Sequence, residues 1–390
     1  MKIELTIGVT PLSGSVTSAD DAALRAAALA EASAEAGTFG VGGLLVNRRG
    51  RILAQAVNSV IRGGVVADPT AHVERQLVDW YFQERTPRAL PPVEEVVIVS
   101  SLDPCAMCAG AILKSGLSAI AVAEDSVSGV HNHQGLPHRM PRELWARAEK
   151  FLAMFTVQGR RGDSCTGLNG PLAGAVSQEA FLRCQTALQE SIMRVRSRIG
   201  GTPADLRPTL PFAEMMGHLR SLQIDLPQGV LLAASELDSA AVTNSARLSE
   251  DLGQNGACLL NQEGRPILFA QSADTTSPIR DSILELVRIY TALRNWVRES
   301  FAIRLPHPRH CSVLRRVAPD SAETALLELG ALGSFLEERR YPSAFPLLAV
   351  LEESDARLEE YAASLPPFYT DEIGVTVGRL PSEFVASRRR

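Results

Sequence analysis

Two short segments, DPTAHVE at residues 68–74 and DPCAMCAGAI at residues 103–112, decide the fold. The first leads into the helix-forming stretch AHVERQLVDWYFQER, which places His72 and Glu74 in the first turn of a helix. The second predicts a helix that opens at its two cysteines. Between them, VVIVSSL at residues 96–102 has the continuous apolar pattern of a buried strand. A buried strand between two helices indicates an α/β fold.

The sequence on either side continues this alternation. Residues 18–36 are rich in alanine, with Ser18 suited to cap the start of a helix and a glycine just beyond its end. Residues 41–47 and 51–58 are apolar runs on either side of a short turn, which predicts a β-hairpin. Another short buried strand is expected at residues 119–123. A hairpin followed by alternating strands and helices predicts a three-layer α/β/α sandwich with a mixed sheet.

His72, Cys105 and Cys108 are the candidate metal ligands. One imidazole and two thiolates suit a tetrahedral zinc ion and leave its fourth position for a water molecule. At the start of a helix, the helix dipole and free N–H groups favour the thiolate form of a cysteine. Glu74 lies close to His72 but outside the ligand set, so its carboxylate is the candidate proton shuttle for a hydrolytic reaction.

A purely structural zinc site is the alternative for these residues. Such a site would need a fourth cysteine or histidine ligand. The nearest histidines after the cysteines are His131, His133 and His138, in a stretch with the pattern of a loop. A carboxylate at Glu74 has no use in a structural site, which favours the catalytic interpretation.

The motifs resemble those of the cytidine deaminase superfamily, in particular its tRNA-adenosine deaminase and guanine deaminase branch. The resemblance covers residues from about 18 to 160 and includes Asn58 at the end of a strand. It implies a cytidine-deaminase-like sandwich, zinc as the cofactor and deamination as the reaction. By the same resemblance, Asn58 hydrogen-bonds the target base, and the backbone near Ala71 and Ser101 helps to hold the ring and the leaving amino group. The sequence departs from the family at Asp103, where glutamate usually precedes the Pro-Cys pair.

The strand–helix order of the first half returns after residue 225. The aligned pairs of segments are 42–55 with 256–271, 68–81 with 277–290, 102–115 with 317–330, and 118–126 with 346–354. Identities are few, so a chance likeness between two α/β segments stays open at this point. The alignment replaces the four chemical positions: His72 by Asp281, Glu74 by Ile283, Cys105 by Asp320 and Cys108 by Glu323. The second half is therefore predicted to be a degenerate copy without a zinc site, whose acids reach solvent or basic partners such as Arg280.

We expect three segments in the chain. They are a catalytic domain at residues 1–165, a helical connector and linker at 166–224, and the degenerate deaminase-like domain at 225–390. In the superfamily that the motifs resemble, a neighbouring subunit often completes the substrate pocket. The degenerate copy is expected to serve as that neighbour in an intramolecular pseudo-dimer, and homo-oligomer formation is left open.

The composition limits the class of protein. The 390 residues include 45% hydrophobic and 21% charged residues, with no apolar run near the ~20 residues of a membrane span. The N-terminal stretch has too short an apolar core for a secretory signal. Six cysteines are too few for a disulfide scaffold, and four are expected to be incidental thiols: Cys165, Cys184, Cys258 and Cys311. We therefore expect a cytoplasmic protein with no membrane partner.

Three functions are open from the sequence. The first is hydrolytic deamination of a small nucleobase, nucleoside or related amino-heterocycle, which is favoured because a net charge of −5 gives no overall attraction to nucleic acid. The second is editing of adenosine to inosine in tRNA, which the close match of both motifs and the fused second copy favour. The third is a non-enzymatic module that keeps zinc for stability.

Overall fold

The chain contains two consecutive α/β units, each organised around a six-stranded sheet. The computed structural model describes residues 8–130, 140, 142–159, 170–199, 207–222, 224–233, 256–271, 276–315, 319, 321–336, 340, 343, 345–350 and 356–379. Five residues named above lie outside the described ranges: His131, His133, His138, Cys165 and Asp320. Within those ranges, every helix is too short or too polar to cross a membrane.

The first unit follows the predicted order of elements. Its strands are β1 (Val9–Pro11), β2 (Gly42–Asn47), β3 (Ile52–Val57), β4 (Ile61–Arg62), β5 (Val65–Val66), β6 (Val96–Leu102), β7 (Ser118–Ala123) and β8 (Leu152–Met154). Its helices are α1 (Ala19–Glu35), α2 (Val73–Glu84), α3 (Ala106–Ser115), α4 (Arg142–Ala148) and α5 (Gln178–Ile199). The sheet order is β1-β3-β2-β6-β7-β8, antiparallel from β1 to β6 and parallel from β6 to β8. β4 and β5 form a separate short hairpin.

Helices cover both faces of this sheet. α1 and α5 pack on one face, and α2 and α3 on the other. The buried face of α1 consists mainly of alanines, and Gly42 lies against it, because a Cβ at Gly42 would come within 2.4 Å of the backbone N of Ala30. Small residues on both elements thus let the helix approach the sheet closely. The predicted three-layer sandwich is confirmed, and α5, which the sequence assigned to the connector, is part of it.

The second unit begins with α6 (Phe212–Ser221). Its strands are β9 (Val230–Leu232), β10 (Gly256–Leu260), β11 (Pro266–Gln271), β12 (Ser312–Arg315), β13 (Leu348–Val350) and β14 (Val377–Arg379). Its further helices are α7 (Ser282–Phe301), α8 (Ala322–Leu336) and α9 (Ala356–Ser364). A helical turn at Phe368–Ile373 leads into β14.

The second sheet repeats the first strand for strand. Its order is β9-β11-β10-β12-β13-β14, with the same sequence of antiparallel and parallel pairs. Both hairpins shift register at the same point of their first strand. The turns also match, since Oδ1 of Asn47 and Oδ1 of Asn261 each accept hydrogen bonds from two backbone N–H groups of the turn. This correspondence agrees with the predicted duplication.

The alignment of the last repeated segment is wrong by one residue. In the first sheet Ala119 pairs with Ile98, and at the same place in the second sheet Leu348 pairs with Val313. Leu348 is therefore the structural counterpart of Ala119. The sequence alignment had matched Ala119 with Leu347. An apolar strand with few identities can slide by one position without a visible penalty in the sequence, although the slip reverses which face each side chain occupies.

The two units share a buried junction. A Cβ at Gly110 of α3 would lie 2.4 Å from the backbone N of Leu327 in α8, and one at Gly330 would lie 2.0 Å from that of Met107. The two helices therefore touch backbone to backbone. Arg280, the candidate basic partner for the acids of its own unit, forms an ion pair with Asp79 in α2 at 3.0 Å.

Candidate active site

Helices α2 and α3 bring the three candidate ligands together. His72 is the residue before α2, Cys105 is the residue before α3, and Cys108 lies in the first turn of α3. A ring nitrogen of the histidine and the two sulfur atoms lie within 4.8 Å of one another. The distance from Cys105 Sγ to His72 Nδ1 is 3.4 Å. The prediction that these ligands stand at two helix starts is confirmed.

The chain between β6 and α3 explains where the cysteines lie. β6 is buried along its whole length, and the N–H of Asp103 still donates to the carbonyl of Ala123 at 2.9 Å. Pro104 has no N–H to continue this pairing, so the strand ends there. The chain then turns into the helix at Cys105.

The donor set fits zinc. One nitrogen and two sulfur atoms are the ligands of a catalytic zinc site with one open position. The side-chain hydrogen bond with Cys108 and the charge of the His72 ring hold the pKa of Cys105 well below its usual value, although burial opposes them. The thiolate that a metal requires is therefore favoured at Cys105.

Glu74 lies beside the ligands with 3% of its surface exposed. Burial raises the pKa of its carboxyl, and a hydrogen bond donated by the Ser100 hydroxyl to Oε1 opposes that change. Ser100 was missed by sequence reasoning. Because β6 is buried on both faces, its apolar pattern does not show which residues face α2.

Asn58 is the one of the three expected substrate-binding residues that lines the cavity beside the ligands. Its Oδ1 accepts a hydrogen bond from the Thr38 hydroxyl at 2.7 Å and one from a backbone N–H at 3.1 Å. Its Nδ2 is the remaining donor. Ala71 uses its N–H and carbonyl within the chain, and the Ser101 hydroxyl accepts from the N–H of Gly42. Contacts of Ala71 and Ser101 with substrate stay predictions.

Residues of both units line the cavity, which has a volume of about 220 Å³. α5 contributes Leu188 and Ile192 to its wall. The second unit contributes Gly333, Ser334, Phe368, Tyr369 and Ile373. Sequence reasoning named none of these wall residues, because their approach to the site depends on packing between distant parts of the chain.

Tyr369 makes the most direct contact of the second unit with the site. Its hydroxyl accepts a hydrogen bond from the N–H of Ala106, the residue after Cys105, at 3.2 Å. Burial raises the pKa of Tyr369 well above its usual value, and the neighbouring Cys105 acts in the same direction. The hydroxyl therefore keeps its proton.

The corresponding region of the second unit has different contacts. Asp281 caps α7, with Oδ1 accepting from the N–H groups of Ile283 and Leu284, both at 3.0 Å. Glu323 forms an ion pair with Arg147, as expected of an acid that finds a basic partner. Among the described residues, the one cluster suited to a metal ion is that of the first unit.

Arg315 occupies the position in the repeat that Ser100 has in the first unit. It forms a buried ion pair with Glu328 of α8. Burial raises the pKa of Glu328 to about 7, against the opposing effect of Arg315. An arginine of an ion pair thus stands where the first unit has the hydroxyl of Ser100.

Comparison with known proteins agrees with this geometry. Residues 17–124 match the family model described as the cytidine and deoxycytidylate deaminase zinc-binding region. The match includes all the ligands and Glu74. A search of curated protein sequences gave no match.

Two solved structures show partial likeness. A guanine deaminase from Nitrosomonas europaea is 18% identical, with a TM-score of 0.33 and coverage of 50% of this chain and 98% of its own. A structure from a study of A-to-I editing by tRNA:A34 deaminases is 20% identical, with a TM-score of 0.21 and coverage of 29% and 88%. At these scores neither likeness adds to the assignment, which rests on the family match and the site. The first unit is a zinc-dependent deaminase domain of the cytidine deaminase superfamily.

Proposed function

We propose that this protein hydrolytically deaminates a small free amino-heterocycle of nucleobase size. The reaction replaces the exocyclic amino group by oxygen and releases ammonia. The family match and the ligand set support the reaction. The cavity supports the class of substrate.

The cavity beside the ligands, with its small volume, is the observation that carries the proposal. At about 220 Å³ it is smaller than the roughly 300–1,000 Å³ sites that hold drug-sized ligands. Phe368 and Tyr369 of the second unit and Ile192 of α5 form part of its wall. A single ring system suits this space.

The chain's polar groups have separate roles in this reaction. Zinc, when bound, supplies a water molecule whose pKa is lowered toward neutrality. Glu74, held by Ser100, accepts one proton from the attacking water and delivers it to the ring nitrogen. It then accepts the proton of the hydroxyl group newly added to the ring carbon and passes it to the departing amine, which leaves as ammonia while the carbonyl forms. The upward direction of its pKa shift suits a group that must both accept and donate a proton. Nδ2 of Asn58 donates to an acceptor on the ring, and Phe39 and Phe368 supply aromatic surface for packing.

Ammonia release from a panel of purines, pyrimidines, nucleosides and tRNA tests the substrate class. We expect free bases or related heterocycles to give the highest kcat/KM, with little change between about 50 and 200 mM salt. A preference for tRNA, with binding that weakens steeply over that range, would contradict the proposal and indicate RNA editing. Zinc-loaded, folded protein that releases ammonia from no member of the panel would instead favour a non-enzymatic module.

A further inference from the structure

The second unit contacts both segments that carry the zinc ligands. At the cysteine segment, the Tyr369 hydroxyl accepts the N–H of Ala106. That N–H is one of the free donors at the start of α3 and has no partner within the helix. Tyr369 and Cys105 both line the cavity. Through this hydrogen bond, Tyr369 therefore holds the residue that joins Cys105 to α3.

At the histidine segment, the contact is an ion pair. Nε of Arg288 in α7 lies 3.4 Å from Oδ2 of Asp68, and both residues are buried. The other oxygen of Asp68 accepts hydrogen bonds from the N–H and hydroxyl of Thr70, at 2.9 and 2.7 Å. The carbonyl of Thr70 in turn accepts from the N–H of His72 at 2.8 Å. Arg288 is thus connected to His72 through one short turn.

Tyr369 is held in place by its own unit. A Cβ at Gly333 of α8 would lie 2.5 Å from Cδ1 of the tyrosine ring, so the ring packs directly on the helix backbone. Its carbonyl accepts from the N–H of Val375, and Gly374 closes the turn with a φ of 80°. A left-handed φ of this kind favours glycine. The hydroxyl is therefore presented from a fixed support.

We propose that Tyr369 and Arg288 are positioning residues of the zinc site, through which the second unit holds the ligand-bearing ends of α2 and α3 at the separation that the metal requires. A zinc ion binds more tightly when ligands on separate segments are already held in place together. The inference rests on the zinc site and is independent of the substrate proposed above. It gives the second unit a function although its described residues hold no metal cluster.

Zinc affinity of the full chain, measured by equilibrium competition with a chromogenic chelator, tests this role. Tyr369→Phe keeps the ring and removes only the hydroxyl. We expect zinc to bind at least about tenfold more weakly, as when other partners behind metal ligands are removed. The thermal midpoint of zinc-free Tyr369→Phe should fall by no more than that of zinc-free Tyr290→Phe, the control. That control removes another buried hydroxyl of the same unit, which donates to the carbonyl of Pro306 at 2.7 Å.

The arginine has its own pair of variants. Arg288→Gln should also weaken zinc binding, whereas Arg183→Gln, which breaks an ion pair with Glu31 remote from the ligands, should not. If Arg288→Gln does not fold, Arg288→Lys, which retains the charge, replaces it and should show a smaller loss. If Tyr369→Phe and Arg288→Gln both bind zinc with the affinity of the parent, the proposal is wrong. Equal losses in the Tyr290→Phe and Arg183→Gln controls would also overturn it, because the effect would then be one of general stability.

Discussion

Arg280 places its Nε 3.0 Å from Oδ1 of Asp79, a fully buried carboxylate of the other unit. Arg75 also approaches Asp79, at 3.5 Å. The negative charge at the junction is therefore shared between two guanidinium groups, one from each unit. Because an unpaired buried charge is strongly unfavourable, the pair makes the stability of each unit depend on the other.

The first prediction concerns the loss of Arg280. Breaking a buried ion pair by removing one partner destabilises a protein by about 3–5 kcal/mol. Since Arg75 still faces Asp79, we expect Arg280→Gln to lower the free energy of unfolding by the low end of that range or less. Chemical denaturation measures it. Arg183→Gln, in a half-exposed pair, should lower it by less than about 1 kcal/mol, and equal effects of the two substitutions would contradict the argument.

The second prediction is a dependence on pH. Burial acts to raise the pKa of Asp79, but Arg75 and Arg280 outweigh it and hold the folded-state pKa below the usual 3.8. A carboxyl whose pKa is lowered on folding contributes stability that is present above its usual pKa and lost as the pH falls through the folded value. The stability difference between the parent and Asp79→Asn should therefore be constant near neutral pH and shrink below about pH 4. A difference that grows on acidification would be the opposite of this result.

The third prediction is the zinc content. Purified protein should hold one zinc per chain, and Cys105→Ala with Cys108→Ala should abolish binding because two of three ligands are lost. Cys184→Ala is the matched control, since Cys184 is another buried free thiol outside the site. Elemental analysis decides the matter. Two zinc ions per chain, or full occupancy in the double variant, would contradict the assignment.

The fourth prediction concerns the acids of the second unit. Asp281→Asn together with Glu323→Gln should leave turnover within a few-fold of the parent, because neither side chain lines the cavity. Asparagine can also cap a helix, so α7 should keep its start. Asp281→Ala removes the cap and should cost about 1 kcal/mol of stability with kcat unchanged. A loss of kcat in the first variant, at parental stability and zinc content, would place catalytic chemistry in the second unit.

Local patterns predicted most of the first unit and its ligands. Ser18 caps α1, β6 covers the predicted strand, and Cys105 opens α3 as expected. These features depend on residues close together in the sequence, where apolar periodicity and capping preferences act. The repeated order of elements also carried enough information to identify the second unit.

The contacts that the sequence did not predict depend on packing between distant parts of the chain. Ser100, Tyr369 and Arg288 reach the site from a strand buried on both faces, a helical turn and a helix of the other unit. Their contacts depend on how two sheets and their helices dock, and no local pattern encodes that docking. The ion pair of Arg280 with Asp79 was missed for the same reason, because the two residues are far apart in the sequence.

The most direct test of the account compares ammonia release by the parent and by Glu74→Gln, both loaded with zinc. Glutamine preserves the size of the side chain but cannot shuttle a proton. We expect turnover of the best substrate in the panel to fall by at least about 100-fold while the zinc content and the melting temperature stay near parental values. A zinc-loaded Glu74→Gln protein that releases ammonia at the parental rate would contradict the catalytic role proposed for Glu74.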